Sequence, residues 1–274
     1  MRIRTSQATL NYEGEFNPAV TSRSPLILLH GFTLSSRDWL PIFPVLKRHF
    51  QPLAIDIIGH GKSDTPENPD KYSFQNGIAQ ITDLVQQLGI TEAIWIGYSL
   101  GGRLLYGIAT EHPGLTTHVI FESTTPGISS EKERMGRHQQ DEQMARFIER
   151  HSMETFVDRW LAHPLFQTQK SLSESKQQFA RDIRLENRPT GLANSLRGMG
   201  RGAMPSYWGK LTEIQAPTLL IAGDQDPEHV NTMNKVADLL PNARTELVHE
   251  AGHNIHFERP DFFCEIIQHF LLTS

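Results

Sequence analysis

The stretch Ala93-Ile94-Trp95-Ile96-Gly97-Tyr98-Ser99-Leu100-Gly101-Gly102 decides how the rest of the chain is interpreted. Its apolar run ends at Ser99, with Gly97 and Gly101 on either side, and a helix-like segment follows over residues 103–111. This G-x-S-x-G pattern between a strand and a helix predicts a nucleophile elbow, a strained turn that exposes a serine hydroxyl. Glycines are favoured there because side chains would collide where the strand turns into the helix. The helix N-terminus also points unpaired N–H groups at any negative charge nearby.

Apolar runs alternate with helix-like segments on both sides of this elbow. The expected strands are an opening pair within residues 2–16, then Pro25–Leu29, Pro52–Asp56, Ala93–Tyr98, Thr117–Glu122, Pro217–Gly223 and Arg244–His249. The expected helices are Trp39–His49 with its start at Ser35–Asp38, Phe74–Leu88 with Gly89 as its C′ residue, Arg103–Glu111, Glu228–Leu240 and Pro260–Leu272. Continuous apolar runs are typical of strands buried on both faces of a sheet. The alternation predicts an α/β fold with a mostly parallel eight-stranded sheet and right-handed crossovers.

Residues 123–207 break this alternation. They are helix-like, polar and rich in Arg and Gln, and they contain no clear strand pattern. We expect them to form a helical cap or lid over the C-terminal edge of the sheet. Residues 1–122 and 208–274 would then form the core domain.

Composition narrows the class of protein. At 274 residues, 38% of them hydrophobic, the chain can bury a substantial core. A net charge of −5 gives no reason to expect nucleic acid or anionic membranes as partners. No run is long enough to span a membrane, and the N-terminus lacks the apolar stretch of a signal peptide. The single cysteine, Cys264, excludes an intramolecular disulfide, so a cytoplasmic location is expected for a monomer or small homo-oligomer.

Three polar residues follow three different apolar runs in the order expected for a serine triad. They are Ser99, Asp226 and His253, and the carboxyl ends of parallel strands bring such residues together. His253 would take the serine proton, while Asp226 would orient the imidazole and stabilise its protonated form. Asp224 is a competing acid in the same loop, and the residues alone barely separate it from Asp226. His256 competes with His253, although a scaffold role suits it better.

An oxyanion hole needs two backbone N–H donors near the nucleophile. The residue after the serine, Leu100, would supply one, and Phe32 in the loop His30-Gly31-Phe32 would supply the other. His30 is expected to anchor this loop by hydrogen bonds. The histidines show no metal-ligand spacing, and the glycines form no dinucleotide fingerprint, so neither a metal nor a nucleotide cofactor is expected.

Arginines indicate the charge of the substrate. Arg103 lies in the first turn of the helix after the serine, where a cation opposes the helix dipole unless an anion compensates it. The predicted lid adds Arg134, Arg137, Arg146, Arg150, Arg159, Arg181, Arg184, Arg188, Arg197 and Arg201. Most of them should be solvated, but a few facing the pocket would bind carboxylates. The residues thus predict a serine-triad enzyme acting on a small carboxylated substrate.

The whole chain resembles the α/β-hydrolase superfamily, which implies helices on both faces of the sheet. More narrowly, it resembles the 2-succinyl-6-hydroxy-2,4-cyclohexadiene-1-carboxylate synthases of menaquinone and phylloquinone biosynthesis. The matching segments are Leu29–Phe32, Gly97–Arg103, Glu122–Ile128, Trp160, Pro164–Phe166, Leu192–Gly200 and Ala251–Asn254. One departure is Arg201, where the resemblance predicts a small hydroxyl residue before Gly202.

This resemblance implies a lyase without a cofactor. Its substrate would be 2-succinyl-5-enolpyruvyl-6-hydroxy-3-cyclohexene-1-carboxylate, from which the triad removes a ring proton and pyruvate leaves by 1,4-elimination. The resemblance also favours Asp226 over Asp224 as the triad acid. By motif position, the substrate would contact Tyr98, Arg103, Arg137, Trp160, Arg184 and Arg197.

Two other classes of function remain open at this point. A hydrolase of esters or carbon–carbon bonds would use Ser99 as a covalent nucleophile with the same triad and oxyanion hole, so the motifs do not separate it from a lyase. A catalytically inactive binding module would be expected to have a broken triad, whereas all three triad residue types are present here.

Overall fold

The computed structural model describes residues 1–273 and has an eight-stranded sheet at its centre. The strands are β1 (Arg2–Arg4), β2 (Thr9–Glu13), β3 (Pro25–Leu29), β4 (Gln51–Ile55), β5 (Ala93–Tyr98), β6 (Thr116–Glu122), β7 (Thr218–Gly223) and β8 (Ala243–Val248). Their spatial order is β1-β2-β4-β3-β5-β6-β7-β8. The pairs β1–β2 and β2–β4 are antiparallel, and every other pair is parallel. The predicted mostly parallel α/β sheet is therefore confirmed.

Helices connect these strands. The α-helices are α1 (Phe43–Leu46), α2 (Phe74–Gln87), α3 (Leu100–Glu111), α4 (Glu131–Arg150), α5 (Met153–Leu161), α6 (Glu174–Leu185), α7 (Pro189–Met199), α8 (Pro227–Ala237), α9 (Ile255–Glu258) and α10 (Pro260–Thr273). The 3-10 segments are Ser36–Ile42, Pro69–Tyr72, Pro113–Leu115, Pro164–Ser171 and Trp208–Glu213. Within residues 1–273, no helix is both long and apolar enough to cross a membrane.

One predicted helix differs from the structure. The single helix expected from Trp39 to His49 is a 3-10 segment over Ser36–Ile42 followed by one α-helical turn over Phe43–Leu46. Pro41 lies inside the 3-10 segment, and a proline has no N–H to donate to a continuous α-helical ladder. By contrast, α2 ends as predicted, with Gly89 in the left-handed region at φ +77° just past it.

Hydrophobic side chains cover both faces of the sheet. Because successive strand residues point to opposite faces, Ile27 and Leu29 pack with helices α2, α3 and α8, whereas Leu26 and Leu28 pack with α10 and the Ser36–Leu46 region. The predicted placement of helices on both faces is confirmed. A third, separate cluster joins α4, α5 and α7, which all lie between β6 and β7 in the chain.

The connections define where a ligand can bind. From β3 the chain first adds β4 on one side and then β5 on the other, so the loops after β3 and β5 leave the sheet in opposite directions. In open α/β sheets, such a switch point opens a crevice at the carboxyl ends of the strands. The segment His30-Gly31-Phe32 follows β3, and Ser99 follows β5, so both lie at this crevice.

Candidate active site

Ser99 occupies a strained turn between β5 and α3. Its backbone has φ +51° and ψ −107°, a region that residues with a side chain rarely adopt. Neighbouring groups hold it there: the Ser99 N–H donates to the carbonyl oxygen of Glu122 at 3.0 Å, and the Thr124 hydroxyl donates to the carbonyl oxygen of Ser99 at 2.7 Å. The end of β6 and the residues just after it therefore hold the Ser99 backbone in this turn by hydrogen bonds.

Gly97 permits this turn because the chain passes itself at close range. A Cβ at Gly97 would lie 2.6 Å from the Cα of Gly102, which is closer than real Cβ contacts. The obstruction is backbone, so it could not move aside without moving α3. The glycine requirement predicted for the elbow thus has a direct steric cause.

The structure brings Ser99, His253 and Asp226 into one hydrogen-bonded row. The His253 Nε2 lies 3.1 Å from the Ser99 Oγ, and its Nδ1 lies 2.7 Å from an Asp226 carboxylate oxygen. An ionised carboxylate only accepts, so Nδ1 bears the hydrogen and Nε2 is free to accept the serine proton. The row therefore has the geometry that a general base and its orienting acid require.

The two competing residues lie elsewhere. Asp224 contacts the exposed His249 at 3.1 Å and does not reach His253. His256 lies between Glu122 at 2.7 Å and Asp38 at 2.9 Å, fully buried and away from the serine. The geometry thus separates Asp226 from Asp224, which the residues alone could not do.

Burial and hydrogen bonding set the protonation states of the row. Burial lowers the pKa of His253 to about 4, although the hydrogen bond to Asp226 works in the opposite direction. Burial would raise the pKa of Asp226, but its contacts with the imidazoles of His229 and His253 outweigh it and hold the pKa below its usual value. At neutral pH the imidazole is neutral beside an ionised carboxylate, as a general base requires.

Two buried carboxylates fix the loop that bears His253. Glu258 accepts the N–H of Gly252 at 2.7 Å and that of Asn254 at 3.3 Å, on either side of the histidine. Glu122 accepts the N–H groups of Ile255 and His256 at the start of α9. Charge-assisted hydrogen bonds of this kind are among the stronger ones in proteins, so they hold the imidazole in place.

The loop after β3 lies beside the serine. The N–H of Gly101 donates to the carbonyl oxygen of His30 at 3.0 Å, and a Cβ on Gly31 would lie 3.4 Å from the Ser99 Cβ. Among the described residues, no acceptor is found for the backbone N–H of Phe32 in this loop. Phe32 and Leu100, the residues predicted for the oxyanion hole, thus flank the serine.

His30 anchors this loop, as predicted. Its Nε2 accepts the N–H of Ile57 at 3.0 Å, so its Nδ1 is the protonated nitrogen and donates to the carbonyl oxygen of Gly31 at 2.8 Å. Burial lowers its pKa, which keeps the ring neutral. His30 is therefore a structural residue in this fold.

A cavity of about 390 Å³ opens onto the triad. Its walls come from the loops after β3, β5, β6 and β8, from the start of α8 and from the helical segment between β6 and β7. Of the residues predicted to contact substrate, Tyr98, Arg103, Arg137, Trp160 and Arg184 line it. Its volume suits a small molecule rather than a polymer.

Three guanidinium groups crowd one side of this cavity. Arg137 pairs with Asp141 at 2.7 Å, and Arg201 pairs with Glu228 at 2.8 Å. Arg103 donates to the carbonyl oxygen of Met199 at 3.1 Å and has no carboxylate partner of its own among the described residues. Burial, then Arg201 and Arg137, lower its pKa to about 9. A bound anion would relieve this repulsion.

Several donors in the cavity wall have no acceptor. The Nε atoms of Arg103, Arg184 and Arg201 and the indole N–H of Trp160 are buried without a hydrogen-bond partner in the described part of the chain. Leaving a buried donor unpaired costs about 1–3 kcal/mol, more for a charged group. Such a wall is suited to a ligand that brings acceptor oxygens.

The structure does not bring Arg197 to this cavity. Its guanidinium lies between Glu142 and Glu149, with an N–O distance of 2.9 Å to Glu142, and it is absent from the cavity wall. These two carboxylates stabilise the protonated guanidinium and so raise the pKa of Arg197. In this structure Arg197 ties α7 to α4, which is a structural role rather than contact with substrate.

Arg201 and His229 line the cavity, although neither was among the predicted site residues. Arg201 follows α7, and His229 lies in the first turn of α8. The sequence did contain a signal for each, since Arg201 departs from the motif pattern and His229 follows Asp226 by three residues, the spacing of neighbours on one helix face.

Asp226, His229 and His253 also form a group of potential metal ligands among residues 1–273, with ligand atoms within 4.8 Å of one another. The Nδ1 atoms of the two histidines lie 2.8 Å and 2.7 Å from the same Asp226 oxygen. Tetrahedral zinc with bonds of about 2.0–2.1 Å would separate its ligands by roughly 3.3 Å. The observed N–O distances are shorter than this, so the group does not fit a zinc ion, and the His253 contact is a hydrogen bond.

The family model of the alpha/beta hydrolase fold matches residues 24–260 of this chain. The match covers the elbow, the triad and the cavity residues described above. The chain therefore belongs to the α/β-hydrolase family.

Within that family, its similarity to one group of enzymes is pronounced. It is 39% identical over 248 residues to the putative 2-succinyl-6-hydroxy-2,4-cyclohexadiene-1-carboxylate synthase of Bacillus subtilis strain 168, covering 90% of both chains. It is 28% identical over 235 residues to the 2-succinyl-6-hydroxy-2,4-cyclohexadiene-1-carboxylate synthase of Enterobacter sp. strain 638, covering 86% of both.

Two solved structures are also similar to this chain. MenH from S. aureus superimposes with a TM-score of 0.89 at 31% identity, covering 96% of this chain and 98% of that one. The enol-lactonase from Burkholderia xenovorans LB400 has a TM-score of 0.82 at 21% identity, covering 99% of this chain and 100% of that one, and shares the fold alone.

Proposed function

We propose that the chain is a carbon–oxygen lyase that forms 2-succinyl-6-hydroxy-2,4-cyclohexadiene-1-carboxylate, the compound after which its relatives are named. Its substrate is 2-succinyl-5-enolpyruvyl-6-hydroxy-3-cyclohexene-1-carboxylate, and pyruvate is the second product. The observation that supports this most directly is the cavity, in which the serine row faces a wall of arginines.

The triad acts as a base in this proposal. His253 accepts the hydroxyl proton of Ser99, and the Ser99 oxygen removes a proton from the substrate ring. The electron pair of that C–H bond enters the ring, the ring double bond shifts, and the C–O bond to the enolpyruvyl group breaks. Pyruvate leaves as its enolate, which takes up at carbon the proton that His253 accepted, and the neutral triad is restored. Asp226 stabilises the imidazolium that forms during the reaction.

The backbone N–H groups of Phe32 and Leu100 serve as an oxyanion hole. Charge that develops on the substrate during proton removal resembles that of an enolate, and fixed N–H donors stabilise such charge without reorganisation. The N-terminus of α3 adds its partial positive charge from the same side.

The arginines bind the carboxylates of the substrate. Arg103, Arg137 and Arg201 form one cationic group, and Arg184 forms a second beside Phe166. A substrate with several carboxylates can pair with both, which a neutral ester could not do. Tyr98 and Trp160 supply apolar surface against the ring.

We further propose that residues 123–207 form a cap over a core made of residues 1–122 and 208–274. The cap contributes Arg137, Trp160, Arg184 and Arg201 to the cavity, and the core contributes the triad. Because all these groups come from one chain, a monomer suffices for the reaction. The single cysteine suits a cytoplasmic location.

A pyruvate assay coupled to lactate dehydrogenase tests the proposal directly. Purified protein given the enolpyruvyl substrate should release one pyruvate for each diene formed, and the Ser99→Ala variant should release it roughly 10³-fold more slowly or worse. A burst of p-nitrophenol from p-nitrophenyl esters, with no pyruvate from the enolpyruvyl substrate, would instead identify a hydrolase with Ser99 as a covalent nucleophile.

A further inference from the structure

A second imidazole contacts the triad carboxylate. The Nδ1 of His229 lies 2.8 Å from Oδ2 of Asp226, the same oxygen that lies 2.7 Å from the Nδ1 of His253. The two rings are neighbours, with centroids 4.6 Å apart and planes inclined by 53°. His229 is only 8% exposed, and it forms part of the cavity wall.

The start of α8 produces this arrangement. Asp226 is the N-cap residue, and its other carboxylate oxygen accepts the backbone N–H of His229 at 3.4 Å. Residues three apart on a helix face the same side, so the His229 ring folds back over the carboxylate. The cap therefore fixes the position of both groups together.

The charges around His229 are few and identifiable. Asp226 and Glu228 come from the start of α8, His253 comes from the loop after β8, and Arg201 comes from the segment after α7. Glu228 is paired with Arg201 at 2.8 Å. Asp226 is thus the carboxylate in direct contact with the His229 ring nitrogen.

We propose that His229 is a positioning residue that shares the Asp226 carboxylate with His253 and so limits how strongly this carboxylate supports the His253 imidazolium. The proposal rests on the proposed function only for its kinetic readout. The His229 Nδ1 has no aligned hydrogen bond to any of residues 1–273, but a ring nitrogen 2.8 Å from an anionic oxygen has to carry its hydrogen. The neutral ring therefore places its N–H dipole beside Asp226, stabilises the anion and makes it a weaker partner for His253. If His229 carried a positive charge, it would repel a protonated His253, and this repulsion would also lower the pKa of His253.

Removing the ring should therefore make His253 more basic. In His229→Phe, the midpoint of the His253 titration should move up by about 0.5–1 pH unit. The acidic limb of the pH profile of kcat/KM should move up by the same amount, because protonation of His253 removes the base. His229→Leu is a second variant without a donor, in case the larger phenylalanine disturbs folding.

His229→Asn provides the rescue. An asparagine amide can place a donor where the Nδ1 of a histidine lies, so this variant should keep the wild-type midpoint. His118→Phe is the matched control, since His118 lies on β6 beside Phe270. This control should leave the His253 midpoint unchanged.

The titration is followed by NMR on histidine-labelled protein, which requires no turnover. A raised midpoint in His229→Phe and His229→Leu, with the wild-type value in His229→Asn, supports the proposal. Unchanged midpoints in folded donor-free variants overturn it, even if their activity falls. If the wild-type protein releases no pyruvate, the proposed reaction is wrong, but the NMR titration still decides the role of His229.

Discussion

Glu122 and His256 form a buried ion pair that connects the central sheet to the loop bearing His253. The His256 Nδ1 lies 2.7 Å from one Glu122 oxygen, and both side chains are inaccessible to solvent. Asp38 contacts the other ring nitrogen at 2.9 Å, and Trp39 stacks on the ring at 3.7 Å. Burial would lower the pKa of His256, but the two carboxylates outweigh it and raise the pKa from 6.5 to about 9.

This ion pair predicts a loss of stability at alkaline pH. A histidine whose pKa is raised by folding stabilises the protein fully below its unfolded pKa of 6.5 and no longer does so once the pH passes about 9. The contribution lost is at most on the order of 3 kcal/mol. Urea unfolding between pH 6 and 10 should show the free energy of unfolding declining over this window.

Glu122→Gln tests whether the Glu122–His256 ion pair causes the decline in stability at alkaline pH. The amide oxygen can still accept the N–H groups of α9, but the negative charge is gone, so the His256 pKa should fall. The decline in stability should still begin near pH 6.5, the unfolded pKa, but it should be smaller and should level off at a lower pH than in the wild type. Parallel curves for the two proteins would show that this ion pair does not control the decline.

Ser99→Ala should lose roughly 10³-fold or more in kcat, because the proposed base is the serine oxygen itself. The hydroxyl is small and lies at the cavity wall, so the free energy of unfolding and the affinity for substrate should change little. Single-turnover measurement of pyruvate release, with isothermal titration of the substrate, separates these effects. Near-normal turnover would exclude a direct role for Ser99.

Arg103→Gln should raise KM for the carboxylated substrate by roughly 10- to 100-fold, the value of one or two charge-assisted hydrogen bonds. Arg197→Gln is the matched control, since Arg197 is ion-paired outside the cavity. It should lower stability and leave KM unchanged. Equal effects on KM would mean that Arg103 acts only through the fold.

Arg201→Ser should raise KM by roughly 5- to 10-fold with little change in kcat. Arg201 is less buried than Arg103 and already has Glu228 as a partner, so less is lost when it is removed. Steady-state kinetics with the enolpyruvyl substrate measure the change. A KM equal to that of the wild type would show that Arg201 forms an ion pair with Glu228 but does not bind substrate.

Gly97→Ala should destabilise the protein by about 2–3 kcal/mol, because the new Cβ would meet the backbone of Gly102 at the elbow. Gly136 in α4 is the matched control, since nothing lies within 4 Å of a Cβ built there. Gly136→Ala should stabilise the helix by about 0.5–1 kcal/mol. Urea unfolding of both variants measures whether the free energy of unfolding falls in Gly97→Ala and rises in Gly136→Ala.

The sequence alone determined the order of strands and helices and the place of the serine. Strand periodicity and the glycines of the elbow are local properties, so β3, β5 and the turn at Ser99 could be predicted within a residue or two. The order of polar residues after the strands pointed to His253, and the resemblance to a known family then favoured Asp226 over Asp224. The 3-10 segment at Ser36–Ile42 was the exception, because proline inside a helix pattern allows more than one outcome.

Only the tertiary structure decided which charged groups meet. Arg197 and Arg201 lie four residues apart, yet Glu142 and Glu149 hold the first outside the cavity while Glu228 holds the second at its wall. His229 reaches the triad because the cap of α8 folds its ring onto Asp226. The ion pairs of the two arginines and the meeting of His229 with His253 depend on the packing of elements far apart in the chain, about which a strand or helix pattern contains no information.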